Sequence, residues 1–146
     1  MGLTDYLTEG QIWLNFQAGS KAESLSALSR LAAEARGLSP ADVLAVIAAR
    51  EKLGSTGFGG VALPHGRLPG LASPVLVLAL APEGVDFDSL DGLPVRLLAL
   101  VLTGADGKEH LQLLARLGGL FKSPESVAEF LSARTPSEVL DLLARC

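Results

Sequence analysis

Ile12, Leu14 and Phe16 alternate with Trp13 and Asn15, a period of two that predicts a short strand over residues 11–16. The spacing then changes. Leu25, Leu28, Leu31, Ala32 and Ala35 form one apolar stripe at helical spacing, and the stripe stops before Gly37. Ser20-Lys21-Ala22-Glu23 stands in front of it as a capping box, a hydroxyl followed three residues on by a carboxylate. Three further helix starts share a hydroxyl residue followed by proline: Ser39-Pro40, Ser123-Pro124 and Thr135-Pro136. The hydroxyl caps, and proline suits the first helical position because its missing N–H has no partner there. The first of these leads a helix to about Lys52, with Val43, Leu44, Val46 and Ile47 inward and Gly54 as its stop. The other two lead short helices carrying Val127, Phe130 and Leu131, then Val139, Leu140, Leu142 and Leu143. Asp106 is expected to cap a helix over residues 107–121, whose stripe is His110, Leu113, Leu114, Leu117 and Leu120.

Between the helices lie apolar runs at 61–63, 75–81 and 95–102, the last interrupted only by Arg96. Runs of this length bounded by Pro and Gly read as strands covered on both faces, with helix the competing reading for the Leu-rich ones. The expected order is β-α-α-β-β-β-α-α-α, an α+β chain. Buried strands with helices enough for both faces imply a three-layer α/β/α sandwich.

The 146 residues suit one domain covering 1–146, and 49% hydrophobic content argues against disorder. Aromatics are 5%, so the core is aliphatic. Mean hydropathy is +0.39, which calls for a check on membrane segments. The longest unbroken apolar runs fall far short of the ~18–20 residues a spanning helix needs. The N-terminus has neither a basic region nor a long apolar one, so no secretion signal is read there. One cysteine, Cys146, and two histidines exclude an internal disulfide and a Cys-rich zinc site. A net charge of -4 disfavours a nucleic-acid binder. The expectation is a soluble cytoplasmic protein without membrane insertion.

Candidate chemistry concentrates in residues 54–70, GSTGFGGVALPHGRLPG, which hold six of the 16 glycines and one of the two histidines. No Gly-x-x-x-x-Gly-Lys-Ser/Thr occurs. Gly57-x-Gly59-x-x-Ala62 imitates a dinucleotide fingerprint, but a helix precedes it and a strand follows, the reverse of what that motif requires. His65 is different. A neutral imidazole has a lone pair and an ordinary pKa near 6.5, so it can attack phosphorus and hold a phosphoryl group through nitrogen. Pro64 stiffens the backbone before it, and Gly66 lets a partner approach closely. A glycine loop at Gly57, Gly59 and Gly60 can aim amides at an anion, and Arg50 and Arg67 are candidate cationic donors. A structural histidine in a tight turn is the competing reading. His110, near a helix start, is the candidate to share the site. Asp86-x-Asp88-x-x-Asp91-Gly92 fails the spacing of a calcium loop and reads as a turn.

The run Arg50-Glu51-Lys52-Leu53-Gly54-Ser55-Thr56-Gly57, continuing through Val61-Ala62-Leu63-Pro64-His65-Gly66-Arg67, resembles the signature of enzyme IIA domains of the fructose/mannitol class in the bacterial phosphotransferase system. The likeness is greatest to their nitrogen-regulatory branch. Val85-Asp86-Phe87-Asp88, Asp91-Gly92-Leu93-Pro94-Val95 and Glu109-His110-Leu111 extend it over nearly the whole chain. The resemblance implies a mixed sheet, His65 as the phosphoryl acceptor, and His110 and Arg50 beside it. It also implies an HPr-type phosphocarrier as donor, with no metal or organic cofactor. The partner beyond His65 is then a regulatory target protein, for a nitrogen-type switch, or a IIB domain, for a sugar-specific component. The sequence departs from the family pattern at Gly57-Phe58-Gly59-Gly60, one residue shorter than the usual Gly-x-Gly-Asn-Gly. A phosphate-independent binding module is therefore a third expectation.

Overall fold

The computed structural model describes residues 2–146. Every helix starts where a side chain can satisfy its first amides. Ser20 Oγ accepts from the Glu23 amide at the head of α1 (Lys21–Arg36), and Gly37, at φ 64, ends that helix in a left-handed turn. The box is wider than the sequence pattern predicts: the Glu23 carboxylate reaches the amide of Gly19, one residue before the cap. Ser39 caps α2 (Pro40–Glu51), Asp106 caps α3 (Gly107–Leu120), Ser123 caps α4 (Pro124–Leu131) and Thr135 caps α5 (Pro136–Ala144).

Among the described residues the sheet has six strands: β1 (Ile12–Trp13), β2 (Gly57–Phe58), β3 (Val61–Ala62), β4 (His65–Arg67), β5 (Val75–Val85) and β6 (Val95–Thr103). The order is β1-β5-β6-β3-β2, and β4 pairs with β6 further along. β5 and β6 run antiparallel, as do β2 and β3, while β1 lies parallel to β5, and β3 and β4 parallel to β6, so the sheet is mixed. The apolar runs are strands rather than helices, and the α/β/α layering stands.

Three details differ from the pattern-based reading. The first strand is only two residues long, because Asn15 turns the chain at φ 53. The glycine-rich stretch contributes two strands, β2 and β4, that no alternation announced; β6 and β3 supply their pairing. β5 runs on to Val85 across an irregularity after Leu80, where Pro82 and Gly84 fall. Two short 3-10 turns, Leu3–Tyr6 and Glu9–Gln11, also precede β1.

β5 and β6 divide their side chains between two cores. Val75, Val77, Ala79, Leu98, Leu100 and Leu102 pack against α1 and α2. Leu76, Leu78, Leu80, Leu97, Ala99 and Val101 face the side of α3, α4 and α5. Period-two geometry makes this division unavoidable, and burial of both faces explains why neither strand alternates with polar residues. Among the described residues no helix is long and apolar enough to cross a membrane.

The last turns of α3 carry Gly118 and Gly119, and a Cβ at either would meet nothing within 4 Å. Gly118→Ala is therefore expected to stabilise the protein by roughly 0.5–1 kcal/mol, through a less flexible unfolded chain. A thermal melt that rises by about 2–4 °C checks it.

Candidate functional site

β4 begins at His65, whose register partner on β6 is Val101. The Pro64 carbonyl accepts from the Val101 amide, so the backbone is pinned on both sides of the ring. His65 Nδ1 lies 2.7 Å from the Leu63 carbonyl oxygen. A carbonyl only accepts, so Nδ1 carries the proton and Nε2 keeps the lone pair. The ring is half-buried.

His110 stands at the end of the first turn of α3, with its amide on the Asp106 carbonyl. Its ring lies 5.3 Å from that of His65, centroid to centroid, at 54°. It is 8% exposed, and its Nδ1 is 2.6 Å from the Thr103 hydroxyl. The two histidines, 45 residues apart in sequence, thus share one site because β4 and the β6–α3 connection meet at one end of the sheet.

Burial lowers the pKa of both rings. For His65, desolvation is the largest cause; the hydrogen bond to Leu63 opposes it, Arg50 adds to it and Glu51 opposes it. For His110, desolvation leads, followed by the charges of His65 and Arg67. Both imidazoles therefore stay neutral to lower pH than a free histidine.

Arg50 occupies the last turn of α2, half-buried, with one guanidinium nitrogen donating to the Gly54 carbonyl at 3.0 Å. Its neighbour Glu51 is 5% exposed. That carboxylate receives the Lys21 ammonium at 3.0 Å and the Thr56 amide at 3.1 Å, and also bonds the Thr56 hydroxyl. Sequence reasoning passed over Glu51 and Thr103. A carboxylate at a helix C-terminus opposes the helix dipole, and that mismatch was the signal for Glu51. Thr103 carried none, being a β-branched residue in a strand.

The glycines divide. Gly66 is where α2 crosses the sheet: a Cβ there would sit 2.9 Å from Val46 Cγ2, so the close partner is the helix itself. Gly57, Gly59 and Gly60 form the β2–β3 hairpin, with Gly59 and Gly60 at φ 65 and 80. The Gly57 amide donates to Ser55 Oγ and the Gly59 amide to the Asp91 carboxylate. Those two amides are engaged within the fold and do not form the anion cradle expected of the loop. The Gly59 and Leu93 amides in turn hold the Asp91 carboxyl below its usual range. Arg67 donates to the carbonyls of Gly104 and Ala105, with its guanidinium against the start of α3. It braces the turn that carries His110.

The family model described as phosphoenolpyruvate-dependent sugar phosphotransferase system, EIIA 2, matches residues 5–146. A nitrogen regulatory protein from Pseudomonas aeruginosa is 38% identical over 97% of this chain and 94% of its own length. Another, from Bradyrhizobium diazoefficiens, is 36% identical over 99% and 95%. The crystal structure of nitrogen regulatory protein IIA-Ntr from Neisseria meningitidis superimposes with a TM-score of 0.89 at 35% identity, covering 95% of this chain and 97% of that one.

Proposed function

From the chain's membership of the EIIA 2 family of the phosphoenolpyruvate-dependent sugar phosphotransferase system, we propose that it carries a phosphoryl group on His65 Nε2 and acts as a nitrogen-type regulatory switch. The observation that carries the reading is the 2.7 Å contact of Nδ1 with the Leu63 carbonyl, which leaves Nε2 as a nucleophile beside a second imidazole.

In the proposed step the His65 Nε2 lone pair attacks the phosphorus of a phosphohistidine on an HPr-type carrier. The new N–P bond forms as the carrier's N–P bond breaks, and the carrier's imidazole regains its electron pair. The transferred group spreads negative charge over its equatorial oxygens, which donors near His65 stabilise. Arg50 supplies a fixed positive charge, and His110 an N–H. The proton stays on His65 Nδ1 throughout, donated to the Leu63 carbonyl. Phosphorylation then adds charge at a half-buried surface, and this is how a regulatory target would distinguish the two states.

The test is incubation with phosphoenolpyruvate, enzyme I and an HPr-type carrier, followed by intact mass beside His65→Ala. An acid-labile gain of one phosphoryl group in the wild type alone supports the reading; no gain with cognate carriers favours a phosphate-independent module. Passage of label to a IIB domain would make the protein a sugar-specific component instead.

The pH dependence has a definite sign. Acceptance needs neutral His65, whose pKa lies below 6.5. The rate of acceptance is therefore expected to be flat above neutrality and to halve only at a pH below 6.5. Stopped transfer measured across pH, with the carrier's own titration subtracted, reads this midpoint.

A further inference from the structure

We propose that Thr103 is a positioning residue for His110, and that its hydroxyl fixes which nitrogen of that ring faces the transferring group. The inference rests on the phosphohistidine reading of His65 for its consequence, though not for its geometry.

Thr103 closes β6 and is fully buried. Its Oγ1 lies 2.6 Å from His110 Nδ1, and it has no other hydrogen-bond partner among the described residues. Two assignments of the shared proton are conceivable. If Nδ1–H donated, the Thr103 hydroxyl proton would be left buried without an acceptor, which native interiors avoid. If the hydroxyl donates to Nδ1, both groups are satisfied and the ring proton sits on Nε2. The second assignment holds. It commits Nδ1 to the strand and leaves Nε2–H as the one group His110 can offer a phosphoryl oxygen.

The same bond sets the ring's orientation. β4 pairs with β6 from Val101 to Thr103, so the residue that holds His110 stands two positions along the strand from the partner of His65. His65 and His110 are thereby held in complementary states by different acceptors and donors. A backbone carbonyl gives His65 a free Nε2 lone pair, and a hydroxyl gives His110 an Nε2–H.

The experiment compares wild type, Thr103→Val and Thr103→Ser. Long-range proton–nitrogen NMR reads the His110 tautomer, and transfer from a phosphorylated HPr-type carrier reads the rate. Wild type and Thr103→Ser are expected to show His110 protonated on Nε2 and similar rates. Thr103→Val, which keeps the shape and loses the hydroxyl, is expected to show a tautomer mixture and transfer slowed about tenfold or more. An Nδ1–H tautomer in the wild type overturns the proposal by itself, even if Thr103→Val fails to fold. Unchanged tautomer and rate in a folded Thr103→Val also overturn it. If the wild type accepts no phosphoryl group, the phosphohistidine reading fails, while the tautomer measurement still decides the role of Thr103.

Discussion

His65→Ala is expected to accept no phosphoryl group under conditions that fully label the wild type. The second histidine cannot substitute. His110 is 8% exposed, and its Nδ1 already bonds Thr103. An in-line approach by a carrier's phosphohistidine needs an open lone pair, and with Nδ1 on the Thr103 hydroxyl the His110 ring offers only an N–H. Nor does the fold depend on His65: among the described residues its side chain hydrogen-bonds only a carbonyl two residues away, and β4 pairs through its backbone. His110→Ala and Arg50→Ala should retain acceptance at rates reduced by roughly 10²–10³, the usual cost of removing one donor from a developing charge. Intact mass under acid-free conditions, with initial rates for the two slower variants, measures all three. Label on His65→Ala at the wild-type level would remove His65 from the mechanism.

The legible parts of this fold were those set by neighbours in sequence. The cap residues Ser20, Ser39, Asp106, Ser123 and Thr135 each act within three residues, so a linear reading finds them. β5 and β6 were legible because burial on both faces demands long apolar runs, as at 75–81 and 97–102. β2 and β4 were not, since two or three residues carry no period and their hydrogen bonds depend on partners elsewhere in the sheet. The same distinction divides the site. His65 stood out through its Pro-Gly setting. Glu51, bonded to Lys21 thirty residues earlier, and Thr103 gain their meaning from the tertiary structure. By composition the shortened glycine stretch reads as a cradle for an anion. The structure instead ties the Gly59 amide to Asp91, a pairing across 32 residues that composition cannot reveal.

Gly104→Ala is the substitution expected to damage the protein most without touching a side chain of the site. An added Cβ would lie 2.3 Å from the Leu71 carbonyl oxygen. That atom is backbone, so no rotamer change relieves the overlap; either the 68–71 loop or the end of β6 must move. The loop resists, because the Leu68 amide bonds the Thr103 carbonyl at 2.7 Å and the Leu71 amide bonds the Leu68 carbonyl at 3.1 Å. Overpacking of this kind costs typically ~1–3 kcal/mol, which corresponds to a fall in melting temperature of about 4–12 °C for a chain of this size. The damage should also reach the chemistry. Gly104 follows Thr103, and its carbonyl accepts from Arg67, so a shifted residue 104 disturbs both supports of His110. Below its melting transition, Gly104→Ala is therefore expected to transfer a phosphoryl group more slowly than wild type, with a broadened or shifted His110 signal. Circular dichroism melts and the transfer assay together decide the matter, and a variant that melts with the wild type would mean the 68–71 loop yields freely.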